Sequence, residues 1–362
     1  MIATPYLHAT DQRAYPIRSL AVPGAAILGA CAVQAPYGHL LVLTSDGGIC
    51  GADLDQGTVT RLCTVRLPEL PARDAAAHFG PPTWRLHANA SGTFCAIVVD
   101  KGRQGIVVET SSGKITMTLD GGDYYDETVP FSACFLRVDG QDVFVHRTDW
   151  NRLDATDPAT GQSLTERHAA PREEDGPNPL HYLDYFQGRL WPSPDGSRIL
   201  DDGWVWHPVS VPRIWSALDW LRANPWETED GASVVELSLR DDWNTPACWI
   251  DNRRVAIWGV VDRHEESFDE VGQRPGVEIS DAASRDRASD ERWPIDVDGR
   301  PRALFCDGKR LFIVGESGTA VWDIPSHSML PALPGFSAHL HDARRGTLLA
   351  IDDGVLTELT LP

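Results

Sequence analysis

No segment of the 362-residue chain is apolar for long enough to cross a bilayer as a helix, and no membrane partner is expected. A P-loop, a G-x-S-x-G nucleophile elbow, an H-E-x-x-H metal pair and a C-x-x-C pair are all missing, which removes the usual signatures of NTPases, α/β-hydrolases, zincins and thiol redox proteins. No cofactor motif stands in their place, so none is expected. Positive charge is scarce: 32 Lys and Arg face 52 Asp and Glu, a formal net charge of −20. Displacing counterions from nucleic acid needs a basic footprint, and its lack argues against such a partner. An even cysteine count is also missing. Of the seven cysteines, Cys95, Cys134, Cys248 and Cys306 lie inside apolar strand patterns and read as small buried hydrophobes in a reducing compartment. An unbroken apolar leader is lacking too. Residues 21–31 end in Leu28-Gly29-Ala30-Cys31, a lipoprotein-like box, yet Pro23-Gly24 splits the run and Asp11 precedes it. The expected location is the cytoplasm, with a lipoprotein cleaved before Cys31 as the alternative.

What the chain does have is a repeated phrase. Asp307-Gly308 precedes Leu311-Phe312-Ile313-Val314, a run too short and too β-branched for a buried helix. The pair supplies the residues a tight hairpin turn needs. Equivalent turns fall at Gly38, Gly92, Gly140, Gly196, Asn252 and Gly346, each followed by an apolar strand. A recurrence of about 40–55 residues is the period of propeller blades. Hydrophobic residues at 42% and 13 Trp are ample for a core. The predicted fold is all-β: a seven-bladed β-propeller of four-stranded antiparallel blades in one domain. The blades are expected at residues 26–64, 84–119, 133–166, 188–239, 246–295, 302–333 and 337–360.

Two details complete that reading. The last blade shows three strands, and residues 17–22 form a spare one; joining them closes the ring and removes open sheet edges. In blade four, Asp201-Asp202-Gly203 reads as a turn into the strand Trp204-Val205-Trp206-His207. Ser216 then caps one short helix ended by Pro225, with Leu218 and Leu221 as its apolar stripe. Blade three is expected to end in a strand at residues 162–166, after the turn at residues 157–161.

The connections between blades are long where the hairpin turns are minimal. They emerge on one face and carry acidic and aromatic residues: Asp123, Tyr124, Tyr125 and Asp126; Glu173, Glu174, His181, Tyr182 and Asp184; Asp242 and Trp243. Carboxylates beside Tyr and Trp suit a cationic ligand or a basic protein patch. A solvated loop face is the plain alternative. Trp204 and Trp206 share a strand face and read as packing between blades. His339 and His341 have metal-capable spacing but no third ligand nearby in sequence, so packing is expected. The sequon at Asn89 lies in a hairpin turn.

At Trp322-Asp323, and in the turns Ser193-Pro194-Asp195-Gly196 and Asp307-Gly308-Lys309, the chain resembles the WD40-like and quinoprotein-like propellers of bacteria. The resemblance covers the whole chain as architecture. It implies a scaffold that binds other proteins and carries over no catalytic, quinone or metal residue. The expected function is a non-enzymatic, monomeric interaction scaffold using the acidic, aromatic loop face. Two rivals are a propeller hydrolase or lactonase with a carboxylate-held divalent metal in its channel, and an acidic inhibitor of a basic toxin or nuclease.

Overall fold

A computed structural model describes residues 15–72, 79–168, 176–206, 209–261, 273–297 and 299–362. Seven antiparallel sheets follow one another along the chain. Their innermost strands are Ile27–Ala35, Thr83–Ala88, Ala133–Val138, Phe186–Pro192, Ala247–Trp249, Ala303–Cys306 and Leu340–Asp342. Each lies beside the next, and the last lies beside the first, so the array is a closed ring.

The second strand of each blade explains why the repeat reads as continuous apolar runs. In blade one, Leu41 and Leu43 point toward blade two, while Leu40 and Val42 point toward blade seven. All four are buried. A strand covered on both faces shows no apolar–polar alternation. Each of the seven junctions between neighbouring blades holds its own apolar core. At about 1.5–3 kcal/mol for each fully buried Leu, Ile, Val or Phe, these junctions are the main favourable term. The turn residues behave as their chemistry predicts. Gly92, Gly140, Gly196, Gly308 and Gly346 all have φ between 62° and 90°. Asn252 needs no such φ, because the Asp251 carboxylate accepts the Arg253 and Arg254 N–H groups, each at 2.8 Å, and folds the turn through its side chain.

The ring closes as the sequence implies. Ile17–Ala21 pairs antiparallel with Val355–Thr360, matching Ile17 to Leu359 and Ala21 to Val355. The Val22 N–H extends the ladder to the Gly354 carbonyl at 2.9 Å. An ionic clasp spans the seam: Arg345 donates to Asp55 at 2.9 and 3.0 Å and to Glu358 at 3.2 Å, and Arg18 also pairs with Asp55.

Blades three and four differ from the regular pattern. Blade three has three regular strands, and its fourth position is held by an isolated bridge between Thr156 and Ser163. Side chains take over the rest of that edge. The Thr165 hydroxyl accepts the Ala155 N–H at 3.0 Å, and buried Arg167 donates to the Leu153 carbonyl at 2.8 Å. In blade four, Asp201-Asp202-Gly203 is not a turn but the buried middle of the strand Arg198–Val205. The third strand follows as Val209–Ser210 and Arg213–Ser216. The Ser216 hydroxyl caps helix α1, Ala217–Arg222, by accepting the Asp219 N–H at 3.1 Å. A second short helix, α2, Glu227–Asp230, completes the insertion. Arg222 pairs with Asp139 in the hairpin turn of blade three, which places α1 on the face of the minimal turns. Among the described residues no helix is long and apolar enough to cross a membrane.

Removing residues 1–22 should expose an edge of blade seven and break the Arg18 contact. The melting temperature is expected to fall by roughly 5–10 °C, since a kcal/mol is worth about 2–4 °C in a large domain. Thermal denaturation checks this, and a truncation melting with the full chain would mean that the strand contributes little to closure.

Candidate functional site

The connection from blade two to blade three builds the site locally. After Asp120, the Gly121 N–H bonds the Arg103 carbonyl and the Gly122 N–H bonds the Asp120 side chain. Tyr125 is left-handed, at φ 50° and ψ 36°, and a one-turn 3-10 helix, Asp126–Thr128, follows it. Such a conformation costs a non-glycine residue on the order of 1 kcal/mol. The Thr128 N–H and hydroxyl both donate to the Tyr125 carbonyl, at 3.1 and 2.8 Å, and hold it there. Both tyrosine rings are thereby turned outward.

They meet rings from three other segments. Tyr124 stacks over Phe186 at 5.8 Å, Phe186 on Trp204 at 4.1 Å, and Trp204 on Trp243 at 4.9 Å. Phe79, from the connection between blades one and two, reaches Trp243 at 6.2 Å. Trp150 leans on Tyr124 and Phe186, and Trp206 stands nearly perpendicular to Tyr125 at 5.0 Å. Phe186 and Trp204 are buried, while Tyr124, Tyr125 and Trp206 remain 46, 44 and 42% exposed. Two glycines allow the close approach. A Cβ on Gly188 would lie 1.9 Å from the Asp202 carbonyl, and one on Gly203 would lie 2.1 Å from the Phe186 carbonyl.

The loops are bolted together beneath these rings. The Trp243 indole donates to the Thr128 carbonyl at 2.9 Å, and Lys101 donates to the Phe79 carbonyl. Buried Asp202 accepts the Ser210 hydroxyl at 2.8 Å and the Thr245 N–H at 2.6 Å, tying the connection that carries Trp243 to the strand that carries Trp204. Burial pushes the Asp202 carboxyl up to about 6, against the opposing pull of those two hydrogen bonds and Arg240. Its neighbour Asp201, which accepts the Gly188 N–H at 2.8 Å, is raised well above the carboxylate range by burial.

The expected site residues divide into groups. Tyr124, Tyr125 and Trp243 join the stack. Asp123 stands exposed beside it and pairs with Arg103 at 3.0 Å, which also faces Asp120 at 3.4 Å. Asp242 pairs with Arg300 at 3.0 Å. Asp126 is buried in the 3-10 turn, and Asp184 is exposed. His181 turns instead to α2: its ring stacks on Trp226 at 4.5 Å and its Nδ1 lies 2.8 Å from Asp230. Half-buried Tyr182 follows it, its N–H bonded to the Pro179 carbonyl. Glu173 and Glu174 lie outside the described residues. Trp204 and Trp206, expected to pack between blades, belong to the loop-face cluster. Phe79, Trp150 and Phe186 were not anticipated: Phe79 lies in the connection between blades one and two, Trp150 in the turn after the strand Gln141–Asp149, and Phe186 at the start of Phe186–Pro192.

Among the described residues, one group of three has metal-ligating geometry: His39, Asp53 and Asp55. Its Asp55 already accepts from Arg345 and Arg18, so the group serves the ring-closing clasp. His339 Nδ1 accepts the Ile351 N–H at 3.1 Å, and His341 packs toward Phe312. Around the innermost strands of blades two and four, Arg85 pairs with Asp100 at 2.9 Å. Arg189, exposed on the innermost strand of blade four, lies over the Trp191 ring at 5.7 Å. The sequon residue Asn89 is buried, its amide bonded to Ser91, Thr93 and Asp142.

No protein-family model and no curated protein matches the chain. Solved structures do. The chain is similar to U3-55K at a TM-score of 0.56 and 11% identity, covering 99% of this chain and 100% of that one. It is similar to the β-propeller domain of Cps50 (Swd1) from Myceliophteria thermophila at 0.53 and 10% identity, covering 95% and 100%. It also resembles hydrazine synthase of Kuenenia stuttgartiensis at 0.57 and 13% identity, covering 94% and 98%. The fold is a seven-bladed β-propeller. At such identities the likeness shows the propeller architecture alone, and the loop-face cluster has to be read from its own residues.

The elevated Asp202 carboxyl makes a pH prediction. The folded state binds its proton more tightly than the unfolded chain, so this stabilisation is full below about pH 4 and is lost as pH rises through about 6. Two pKa units correspond to about 3 kcal/mol. Asp202→Asn removes the titration, so the stability advantage of the parent over this variant should shrink between pH 4 and 7 in urea melts. A constant difference would contradict it.

Proposed function

We propose that the loop face around Tyr124, Tyr125, Trp206 and Trp243 docks a protein partner that presents a basic segment. The supporting observation is one of cost. Three large rings stay more than two-fifths exposed although a packed aromatic floor fixes them in place. Rigid, amphipathic aromatic area loses little entropy on binding and is typical of binding hot spots. Around it stand Asp120, Asp123, Asp184 and Asp242, within a chain of net charge −20. Such a rim speeds the arrival of a positive partner and fixes its register. The WD40-like neighbours fit a scaffold of this kind, and a basic toxin or nuclease is one partner with the required charge. The chain would act as a single, monomeric domain in the cytoplasm.

The test uses a partner captured from the source cells and measured against purified variants. Asp123→Asn with Asp242→Asn should slow association, most at low salt, because charges are screened over roughly 10 Å at 0.1 M. Tyr124→Ala or Tyr125→Ala should instead speed dissociation and cost about 1–3 kcal/mol with little salt dependence. Surface plasmon resonance separates the two effects. Binding that ignores these changes but responds to Arg222→Ala would move the interface to the face of α1 and overturn the proposal.

A further inference from the structure

Tyr124, Tyr125 and Trp206 are not a flat apolar patch. Tyr124 and Tyr125 meet at 80° with centroids 4.9 Å apart, Tyr125 and Trp206 at 85° and 5.0 Å, and Tyr124 and Trp206 at 73° and 6.4 Å. Three nearly perpendicular rings of partly open aspect are the walls of a box corner. Phe186 lies behind all three, at 5.3–6.2 Å, and fixes the walls from beneath. The left-handed backbone at Tyr125 sets its ring across the other two.

The rest of the molecule shows what its aromatic rings accept. Arg147 sits over Phe131 at 5.1 Å, Arg167 over Trp226 at 5.2 Å and Arg213 over Tyr185 at 5.1 Å. Among the described residues, no Arg or Lys covers Tyr124, Tyr125 or Trp206. Among the described residues the corner is an aromatic site of the same kind without a cation over it, and it is flanked by Asp123, which remains highly exposed despite its bond to Arg103.

We infer that the corner takes one arginine side chain of the docked partner, its guanidinium on the ring faces and its edge toward Asp123. This rests on the docking reading above and names the group that the face recognises. Arginine suits the site better than lysine, because a planar guanidinium stacks on a ring and pairs with a carboxylate at once.

The probes are N-acetyl-arginine amide and its uncharged isostere N-acetyl-citrulline amide, titrated at millimolar concentration into the full chain. Binding is read from the Trp206 indole resonance, assigned by its loss in Trp206→Phe. The arginine derivative should bind about tenfold more tightly than the citrulline one. Tyr125→Ala should abolish that preference and Tyr125→Phe should keep it, which separates a lost ring from a lost fold. Equal binding of both probes, or an arginine preference that survives Tyr125→Ala, overturns the inference. A deca-lysine peptide at low salt gives the second arm. If neither small probe binds while deca-lysine still weakens with Asp123→Asn and Asp242→Asn, the corner is refuted and the docking face stands; if deca-lysine is also indifferent, both fall.

Discussion

Every blade of this protein needs two neighbours. The second strands are apolar on both faces, so Leu41 and Leu43 serve one junction while Leu40 and Val42 serve the other. No blade can bury both faces alone, and an open array would leave two apolar sheets in water. Closure is therefore a condition for the other junctions, not an addition to them. The chain meets it with Ile17–Ala21 and reinforces the seam with charge, where Arg345 joins Asp55 of blade one to Glu358 of blade seven. Hydrogen bonding to Asp55 raises the Arg345 guanidinium, and the same contact draws the Asp55 carboxyl down. Among the described residues, the one group with metal-ligating geometry is thus spent on holding the ring shut.

A rigid ring lets long connections become a surface of fixed shape. Here they do not stand apart. Phe79, Tyr124, Tyr125 and Trp243 come from three separate connections and are joined through rings, the Thr128 carbonyl and Asp202. Blade four supplies the floor with Phe186 and Trp204, and its irregularities belong to that task. The register shift after Phe186, together with Gly188 and Gly203, brings two strands close enough to stack those rings at 4.1 Å. Even the side of blade four is anchored ionically: Arg167 reaches Asp154 at 2.6 Å and also Glu229 of α2.

The scaffold was legible because its signals are local. A left-handed glycine followed by an apolar run specifies a hairpin, and repetition of that phrase specifies a ring. The failures occurred where tertiary contacts outweighed local chemistry. Asp201-Asp202-Gly203 has turn composition, yet Gly188, Ser210 and Thr245 donate to the two carboxylates and the Gly203 N–H donates to the Tyr185 hydroxyl, which stabilises an extended strand. The fourth strand of blade three is irregular for a related reason: the Leu164 N–H still bonds the Ala155 carbonyl at 2.8 Å, while the Thr165 and Arg167 side chains satisfy the rest of the edge. Loop length and composition marked Tyr124, Tyr125 and Trp243. They did not mark Trp150, Phe186 or Trp206, because a ring cluster drawn from six segments has no period in the sequence.

The overall charge bears on why such a face can stay open. Exposed Tyr and Trp on a rigid floor would pair readily with a second copy of the same surface, since apolar area is not selective. A symmetric meeting of two copies would bring two acidic rims together, within molecules that each carry −20. Opposed like charges disfavour that contact, whereas a basic segment neutralises them. On the proposed reading, the acidity therefore does two things with one set of residues. It discourages self-association of the aromatic face and leaves the same face attractive to a cationic partner. Discrimination then comes from charge and the ring corner together, since the rim selects sign and the perpendicular rings select the shape of the group that enters.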